Sequence, residues 1–135
     1  MLKMLSNKKS IKRRKVFFID DNQQLLNLYS SKFTQEGFDV KTSSRPQEVI
    51  ADVSVFKPDI IFLDLVMSGR DGLEILRQLK STLVTKWTPV VMLTNMDSTI
   101  DKKRCFDYGA SDYLVKVNVT PEELAVYTRG VLRRL

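Results

Sequence analysis

Four short apolar segments of this chain each end directly in a polar residue. The segments and their endings are residues 16–19 with Asp20 and Asp21, residues 60–63 with Asp64, residues 90–93 with Thr94, and residues 113–115 with Lys116. Short runs of β-branched and aromatic residues between helical stretches are typical of buried parallel strands. Because ligands bind beyond the carboxyl ends of such strands, three carboxylates, one hydroxyl and one amine are predicted to meet at one edge of a sheet.

Strand and helix signals alternate along the chain from Asp20 onward, and this alternation predicts the class of fold. Helices are predicted to begin near Asn22, at Pro46, after a loop over residues 65–72, at Asp97 or Ser98, and at Thr120. A further short strand is predicted around residues 38–42. Alternating strands and helices with short connections favour an α/β protein whose parallel sheet is covered by helices on both faces.

Length and composition exclude several classes of protein. A chain of 135 residues with 43% hydrophobic and 28% charged residues is expected to form one globular domain. The single cysteine, Cys105, excludes an intrachain disulfide and fits a reducing cytosol, so a cytoplasmic protein is expected. The absence of histidine excludes histidine-based catalysis and most zinc sites, and no apolar run reaches the length of a membrane span.

The positive charge of the chain is concentrated at its N-terminus. The net charge is +6, and seven of the 22 lysines and arginines lie within the first 15 residues, which contain no acid. Residues 1–14 are therefore predicted to form a basic, flexible tail, and residues 15–135 the folded domain. Such a tail commonly keeps a protein soluble, and weak contact with nucleic acid or acidic lipid is the alternative.

The acids at the predicted strand ends have an ordinary interpretation when each is taken alone, since an Asp-Asp pair after a strand is commonly a solvated turn or a helix cap. Asp20 and Asp21 follow one strand, however, and Asp64 follows another. If these strands are neighbours, three negative charges share one crevice. Like charges at short range raise each other's pKa or require a cation, and Mg²⁺ suits a site with few protein ligands.

Phosphoryl chemistry is the reaction class that this combination favours. A carboxylate can act as a nucleophile and form an acyl phosphate. The charge on the phosphoryl oxygens must then be neutralised or hydrogen-bonded, and Lys116 and Thr94 offer an ammonium and a hydroxyl for this purpose. Alone, Lys116 is a common solubilising residue and Thr94 a common strand residue. The four endings together favour the functional interpretation.

The same residues resemble those of two-component response-regulator receiver domains, and the resemblance extends over residues 15–135. The matching segments are Phe18-Ile19-Asp20-Asp21, Asp64-Leu65-Val66-Met67 followed by Asp71-Gly72, Leu93-Thr94, and residues 109–116, which end in Tyr113-Leu114-Val115-Lys116. The resemblance implies a flavodoxin-like, doubly wound five-stranded parallel sheet in the order 2-1-3-4-5, with five helices on two faces.

The resemblance also implies roles for the acidic residues. Asp64 would accept a phosphoryl group from a histidine kinase or a histidine phosphotransfer protein. Asp21, Asp64 and the backbone carbonyl of Val66 would bind Mg²⁺, or another small divalent cation such as Mn²⁺, while Asp20 would act largely through water.

By the same resemblance, Lys116 would bond to the phosphoryl group or to Asp64, and Thr94 and Tyr113 would be the switch pair. A charge added at Asp64 would draw Thr94 inward and let Tyr113 turn, which shifts a two-state equilibrium. The last two helices and the last strand would form the surface that meets a downstream protein. The identity of that protein and the formation of a homodimer are left open.

Three positions depart from the family pattern. Ser68 stands where proline is usual, which is expected to loosen the loop after Asp64. Val117 stands where proline usually gives a cis peptide bond. Before valine a cis bond costs about 2.5–4 kcal/mol, so a trans bond is expected. Lys116 is then expected to be aimed differently. Asn95 replaces a small residue and is expected to restrict access of the phosphoryl donor.

Two apolar residues lie beside the predicted site. Val66 and Met96 occupy positions that influence hydrolysis of the acyl phosphate in this family. Neither side chain can position an attacking water, so a long-lived phosphorylated state is expected.

Other conspicuous residues are predicted to have structural roles. Trp87 precedes a predicted strand and is expected to cover an edge of the core, and Cys105 is expected to be an inert, packed thiol. Lys102, Lys103 and Arg104 are expected to form a solvated helix face, with a part of the output surface as the alternative.

The leading hypothesis is a phosphoacceptor switch and not an enzyme, with at most Mg²⁺-dependent self-phosphorylation from small donors and slow self-dephosphorylation. One alternative is a phosphorylation-independent interaction scaffold with the same fold, although such domains typically lose an acid or the lysine. A fragment of a longer DNA-binding regulator is another. An aspartate-based phosphatase is disfavoured, because no second acid stands two residues after Asp64.

Overall fold

The computed structural model describes residues 13–68 and 70–135, which contain a parallel sheet of five strands. The strands are β1 (Lys15–Ile19), β2 (Asp39–Ser43), β3 (Ile60–Leu63), β4 (Val90–Thr94) and β5 (Asp112–Val115). Their order across the sheet is β2-β1-β3-β4-β5, which confirms the predicted topology. Of the predicted N-terminal tail, residues 1–12 lie outside the described range, and Arg13 and Arg14 are exposed.

Five α-helices connect or follow these strands in the described part of the chain. They are α1 (Gln23–Gln35), α2 (Val49–Phe56), α3 (Gly72–Ser81), α4 (Thr99–Asp107) and α5 (Pro121–Arg133). Pro46–Glu48 and Lys116–Asn118 form single turns of 3-10 helix. The loop after Asp64 contains a small antiparallel hairpin, in which Val66–Met67 pairs with Arg70–Asp71. Among the described residues, no helix has the length and apolar character needed to span a bilayer.

The sheet separates two hydrophobic cores, as expected when helices cover both of its faces. Val16 and Phe18 pack with α1 and α5 on one side, while Phe17 and Ile19 pack with α2, α3 and α4 on the other. Strands buried on both faces have no polar alternation, which explains the continuous apolar runs. Cys105 lies in the second core, where burial raises the pKa of its thiol to about 11, so it is a packed and unreactive residue.

Local sequence signals set the ends of the helices. The Ser98 hydroxyl caps α4 by accepting a hydrogen bond from the Asp101 amide at 3.3 Å. At α5, Thr120 and Glu123 form the predicted reciprocal capping box, with bonds of 3.0 and 2.9 Å. α4 ends before Gly109, whose φ of +103° is a conformation that glycine adopts without strain.

The prediction that Trp87 covers the core is wrong. Its side chain is 84% exposed in the loop between α3 and β4. The loop is nevertheless firmly held, because the Lys80 ammonium donates to the Thr88 carbonyl at 2.6 Å and the buried Thr85 hydroxyl donates to the Leu79 carbonyl at 2.6 Å. These polar contacts fix the backbone in a position that turns the indole outward, and apolar patterning does not reveal them.

Gly72 sits where the chain of α3 passes directly against the end of β3. A Cβ atom at this position would lie 2.1 Å from the Asp64 carbonyl oxygen and 2.7 Å from the Leu65 Cα. The Gly72 amide also donates to the Leu65 carbonyl at 2.8 Å. Backbone atoms cannot move aside as a flexible side chain can, so only glycine fits this contact without a shift.

We expect Gly72→Ala to destabilise the fold by about 1–3 kcal/mol, because the added methyl group meets backbone atoms. Gly130→Ala is the matched control, since a Cβ there meets only the end of the Arg134 side chain at 3.8 Å. Gly130 lies within the last turn of α5, where this change is expected to stabilise by up to about 0.5–1 kcal/mol. Urea unfolding followed by circular dichroism measures both free energies, and equal tolerance of the two alanines would contradict the close contact.

Candidate functional site

The sheet register brings the predicted acids together at its carboxyl edge. β1 and β3 are neighbouring parallel strands whose last paired residues are Ile19 and Leu63. Asp20 and Asp64 are the next residues on the two strands, and the Asp64 amide donates to the Ile19 carbonyl at 2.9 Å. The carboxylates therefore leave adjacent strands at the same level of the sheet.

Asp20, Asp21 and Asp64 form a cluster in which one carboxylate oxygen of each residue lies within 4.8 Å of the others. Asp20 is 4% exposed and Asp64 is 6% exposed, whereas Asp21 is at the surface. Two nearly buried carboxylates and a third beside them are the donor set that a hard divalent cation prefers.

Lys116 supplies a positive charge to this cluster. Its ammonium lies 2.6 Å from Asp20 Oδ2 and 3.1 Å from Asp64 Oδ2, and it reaches them over the end of β4, which separates β5 from β3. Lys116 therefore contacts Asp64, as the resemblance implied, and all described peptide bonds, including the one before Val117, are trans as predicted. With all four groups ionised, the cluster keeps a net charge of −2, which a divalent cation balances.

Burial and hydrogen bonding shift the pKa values of these groups in different directions. Burial raises the pKa of Asp20, and the hydrogen bonds from Lys116 and the Asn22 amide only partly offset it. Burial alone would lower the pKa of the Lys116 ammonium, but its bonds and attraction to Asp20 and Asp64 together outweigh this and raise it. The pKa of Asp21 is lowered, chiefly by the hydrogen bond from the Ser68 amide.

Ser68 ties the loop after β3 to the acidic cluster, which the sequence-based expectation of a loosened loop missed. Its amide donates to Asp21 Oδ2 at 2.9 Å and its hydroxyl donates to the same oxygen at 3.1 Å. A proline at this position would have neither donor. The serine itself indicated this contact, because serine, unlike proline, has a backbone N–H and a side-chain O–H that can both donate to a nearby carboxylate.

Thr94 and Tyr113 converge on the backbone of Met96. Thr94 is 1% exposed, and its hydroxyl oxygen accepts a hydrogen bond from the Met96 amide at 3.3 Å. The buried Tyr113 hydroxyl donates to the Met96 carbonyl, and burial raises the pKa of Tyr113 to about 12. The two residues are thus connected through one residue of the loop that follows β4.

An open pocket of about 240 Å³ lies over Asp64. It is lined by Asp64, Val66, Thr94, Asn95, Met96 and Lys116. The Val66 amide donates to Asp64 Oδ1 at 3.4 Å, so Val66 lies directly beside the carboxylate. The pocket brings together a carboxylate, an ammonium and a hydroxyl, which are groups suited to a compact anion such as a phosphoryl group.

Sequence comparison relates the chain to bacterial regulators. TrcR, a transcriptional regulatory protein of Mycobacterium tuberculosis, is 38% identical over 120 residues, which are 89% of this chain and 46% of that protein. PhoP, the alkaline phosphatase synthesis transcriptional regulatory protein of Bacillus subtilis, is 31% identical over 121 residues, which are 90% of this chain and 49% of that protein. The chain spans about half the length of these curated relatives.

Solved structures of receiver proteins superpose closely on this fold. The chemotaxis protein CheY4 of Vibrio cholerae has a TM-score of 0.82 at 28% identity, with 89% of this chain and 99% of that chain covered. The BeF₃-activated N-terminal receiver domain of RstA from Klebsiella pneumoniae has a TM-score of 0.79 at 29% identity, with the same coverage. A family model described as the response regulator receiver domain matches residues 16–128, and the chain belongs to this family.

Proposed function

We propose that Asp64 accepts a phosphoryl group from a histidine kinase or a histidine phosphotransfer protein. Receiver domains are signalling switches and not classical enzymes, so the reaction serves to change the state of the domain. The observation that carries the proposal is the environment of Asp64. Its carboxylate lines an open pocket together with the Lys116 ammonium, 3.1 Å away, and the Thr94 hydroxyl.

Asp64 is a better acceptor than the two other acids of the cluster. Asp20 is bound by Lys116 at 2.6 Å and by the Asn22 amide at 2.9 Å, and it does not line the pocket. One oxygen of Asp21 is held by both donors of Ser68. Within the described part of the chain, Asp64 Oδ1 has only a long contact of 3.4 Å with the Val66 amide, which leaves this oxygen suited to attack.

In the proposed reaction a carboxylate oxygen of Asp64 attacks the phosphorus of a phosphohistidine. The new O–P bond forms as the N–P bond to the donor imidazole breaks, and the leaving nitrogen keeps the electron pair. Lys116 carries three N–H donors, so it can bind a phosphoryl oxygen while it keeps its contact with Asp20. Thr94 can donate its O–H to another of these oxygens.

We propose that the acidic cluster holds Mg²⁺ for this transfer, with Mn²⁺ as an alternative ion. Asp21, Asp64 and the Val66 carbonyl would hold the ion, and Asp20 would act largely through water. The ion would neutralise part of the charge on the phosphoryl oxygens. The cluster fits such an ion because its three carboxylates and the nearby lysine together carry a net charge of −2.

The proposed switch uses the link between Thr94 and Tyr113. A phosphoryl group on Asp64 attracts the Thr94 hydroxyl, which disturbs the bond between Thr94 and the Met96 amide. Because the Tyr113 hydroxyl is bound to the carbonyl of the same Met96, the position of the tyrosine responds. The added charge thereby biases an equilibrium between two arrangements of this loop.

The proposed output surface consists of α4, β5 and α5, which lie next to this loop. Several apolar side chains on its two helices are exposed, namely Ile100, Phe106 and Val126, and Val117 is exposed in the turn between β5 and α5. Lys102 and Lys103 on α4 form ion pairs of 2.9 Å with Asp97 and Asp107, which fits the solvated helix face expected for them. A downstream protein or a second copy of the chain can use this surface, and the reduced Cys105 suits a relay in the cytoplasm.

We expect the native chain to form a labile adduct when incubated with Mg²⁺ and acetyl phosphate. Asp64→Asn should reduce this adduct to background, because an amide cannot form the acyl phosphate. Asp39→Asn is the matched control, since Asp39 is an exposed acid at the start of β2, on the opposite edge of the sheet. Intact-mass spectrometry with and without hydroxylamine detects the adduct. No adduct on the native chain would favour the interaction scaffold, and an undiminished adduct on Asp64→Asn would exclude Asp64.

Metal dependence tests the acidic cluster separately from the acceptor. Removing Mg²⁺ with EDTA should stop phosphorylation, and Asp21→Asn should raise the dissociation constant for Mg²⁺ at least about tenfold, because one anionic ligand is lost. Isothermal titration calorimetry of the unphosphorylated protein measures this constant, with Asp39→Asn again as the control. Equal Mg²⁺ affinity of the Asp21 variant and the native chain would exclude Asp21 as a ligand.

The lifetime of the adduct tests the two apolar residues at the pocket. Val66 and Met96 are 57% and 43% exposed, and neither offers a group that orients an attacking water. The phosphorylated native protein should therefore be long-lived, and Val66→Asn should shorten its lifetime severalfold. Val55→Asn is the control, because Val55 is also an exposed valine, at 83%, but lies on α2. Loss of the native adduct within seconds at neutral pH with Mg²⁺ would contradict the proposal.

A further inference from the structure

The segment that carries Lys116 is held by a contact that lies outside the sheet. The last paired residues of β4 and β5 are Thr94 and Val115, so the backbone ladder ends one residue before Lys116. Beyond it, the amide of Val117 donates a hydrogen bond to Asn95 Oδ1 at 3.2 Å. This bond joins Asn95, the first residue after β4, to Val117, the residue after Lys116. It extends the contact between the two chain segments beyond the end of the sheet.

This contact bears directly on where Lys116 points. The lysine leaves the end of β5 and crosses the end of β4 to reach Asp64 and Asp20. Because the ammonium is at the far end of a long side chain, a small rotation of the backbone at Lys116 moves it by a larger distance. On its C-terminal side the backbone continues into the 3-10 turn Lys116–Asn118, which is closed by a bond of 3.3 Å from the Val119 amide to the Lys116 carbonyl. The bond between Val117 and Asn95 fixes that turn to β4.

We propose that Asn95 is a positioning residue that acts through the Val117 amide to aim Lys116 at Asp64. The role rests on the proposed function of Asp64 as phosphoacceptor. Two residues that differ from the family pattern thus act as a pair. A proline at 117 would have no N–H to donate, and a small apolar residue at 95 would have no side-chain oxygen to accept it.

Asn95 also lines the pocket over Asp64, so a direct contact with the phosphoryl group is the competing explanation for any effect of its removal. The two explanations predict different behaviour of a double variant. If Asn95 acts through the Val117 amide, removing the donor and removing the acceptor break the same bond and the effects do not add. If Asn95 touches the phosphoryl group directly, the two effects multiply.

The test compares Asn95→Ala, Val117→Pro and the double variant in the full chain. Each single change should slow phosphorylation of Asp64 by acetyl phosphate about fivefold, the effect of one hydrogen bond, and the double variant should be no slower than the slower single one. Val117→Ala is the conservative counterpart, because it retains the N–H and should restore the native rate relative to Val117→Pro. Asn118→Ala is a control of the same residue type in the same turn.

Nuclear magnetic resonance supplies a readout that does not depend on phosphorylation. In Asn95→Ala the Val117 amide proton should lose protection from exchange, and the Lys116 ammonium signal should broaden or shift while amide signals of the core stay unchanged. An unchanged Lys116 signal or multiplicative rate effects would overturn the proposal. If the native chain takes no phosphoryl group, the proposed function fails, whereas the resonance of Lys116 still decides whether Asn95 aims it.

Discussion

The ion pairs of Lys116 with Asp20 and Asp64 are the interaction on which the rest of this structure depends. The lysine and both acids are nearly buried, with side-chain exposures of 12%, 5% and 8%. A carboxylate in such a place is costly unless a cation is beside it, and removing one partner leaves an unpaired buried charge. Lys116 therefore permits two acids to occupy adjacent strand ends, although its single charge leaves the cluster negative. That remaining charge is what makes the site receptive to a divalent cation.

The fold supplies this arrangement through strand register and through backbone contact. Because β1 and β3 are parallel and pair up to Ile19 and Leu63, the residues that follow them emerge side by side. Gly72 then allows the start of α3 to lie against the Asp64 carbonyl, which fixes the backbone of the proposed acceptor from the other side. The site is thus built at the ends of two paired strands of the sheet.

Structural features that follow from periodic sequence patterns could be predicted. Features that depend on single long-range hydrogen bonds could not. Apolar runs, helix caps and strand endings predicted the alternating strands and helices and the meeting of Asp20, Asp64 and Lys116 at one edge, because periodicity acts over whole elements. The order of the strands was implied by the resemblance to receiver domains. Trp87 was misjudged because the Lys80 and Thr85 contacts that shape its loop leave no periodic pattern.

The departures from the family pattern have a common physical logic. A residue other than proline brings a backbone N–H, and at both such positions that N–H is used: Ser68 donates to Asp21, and Val117 donates to Asn95. In each case a hydrogen bond supplies a restraint that a fixed proline ring would otherwise give through its restricted φ.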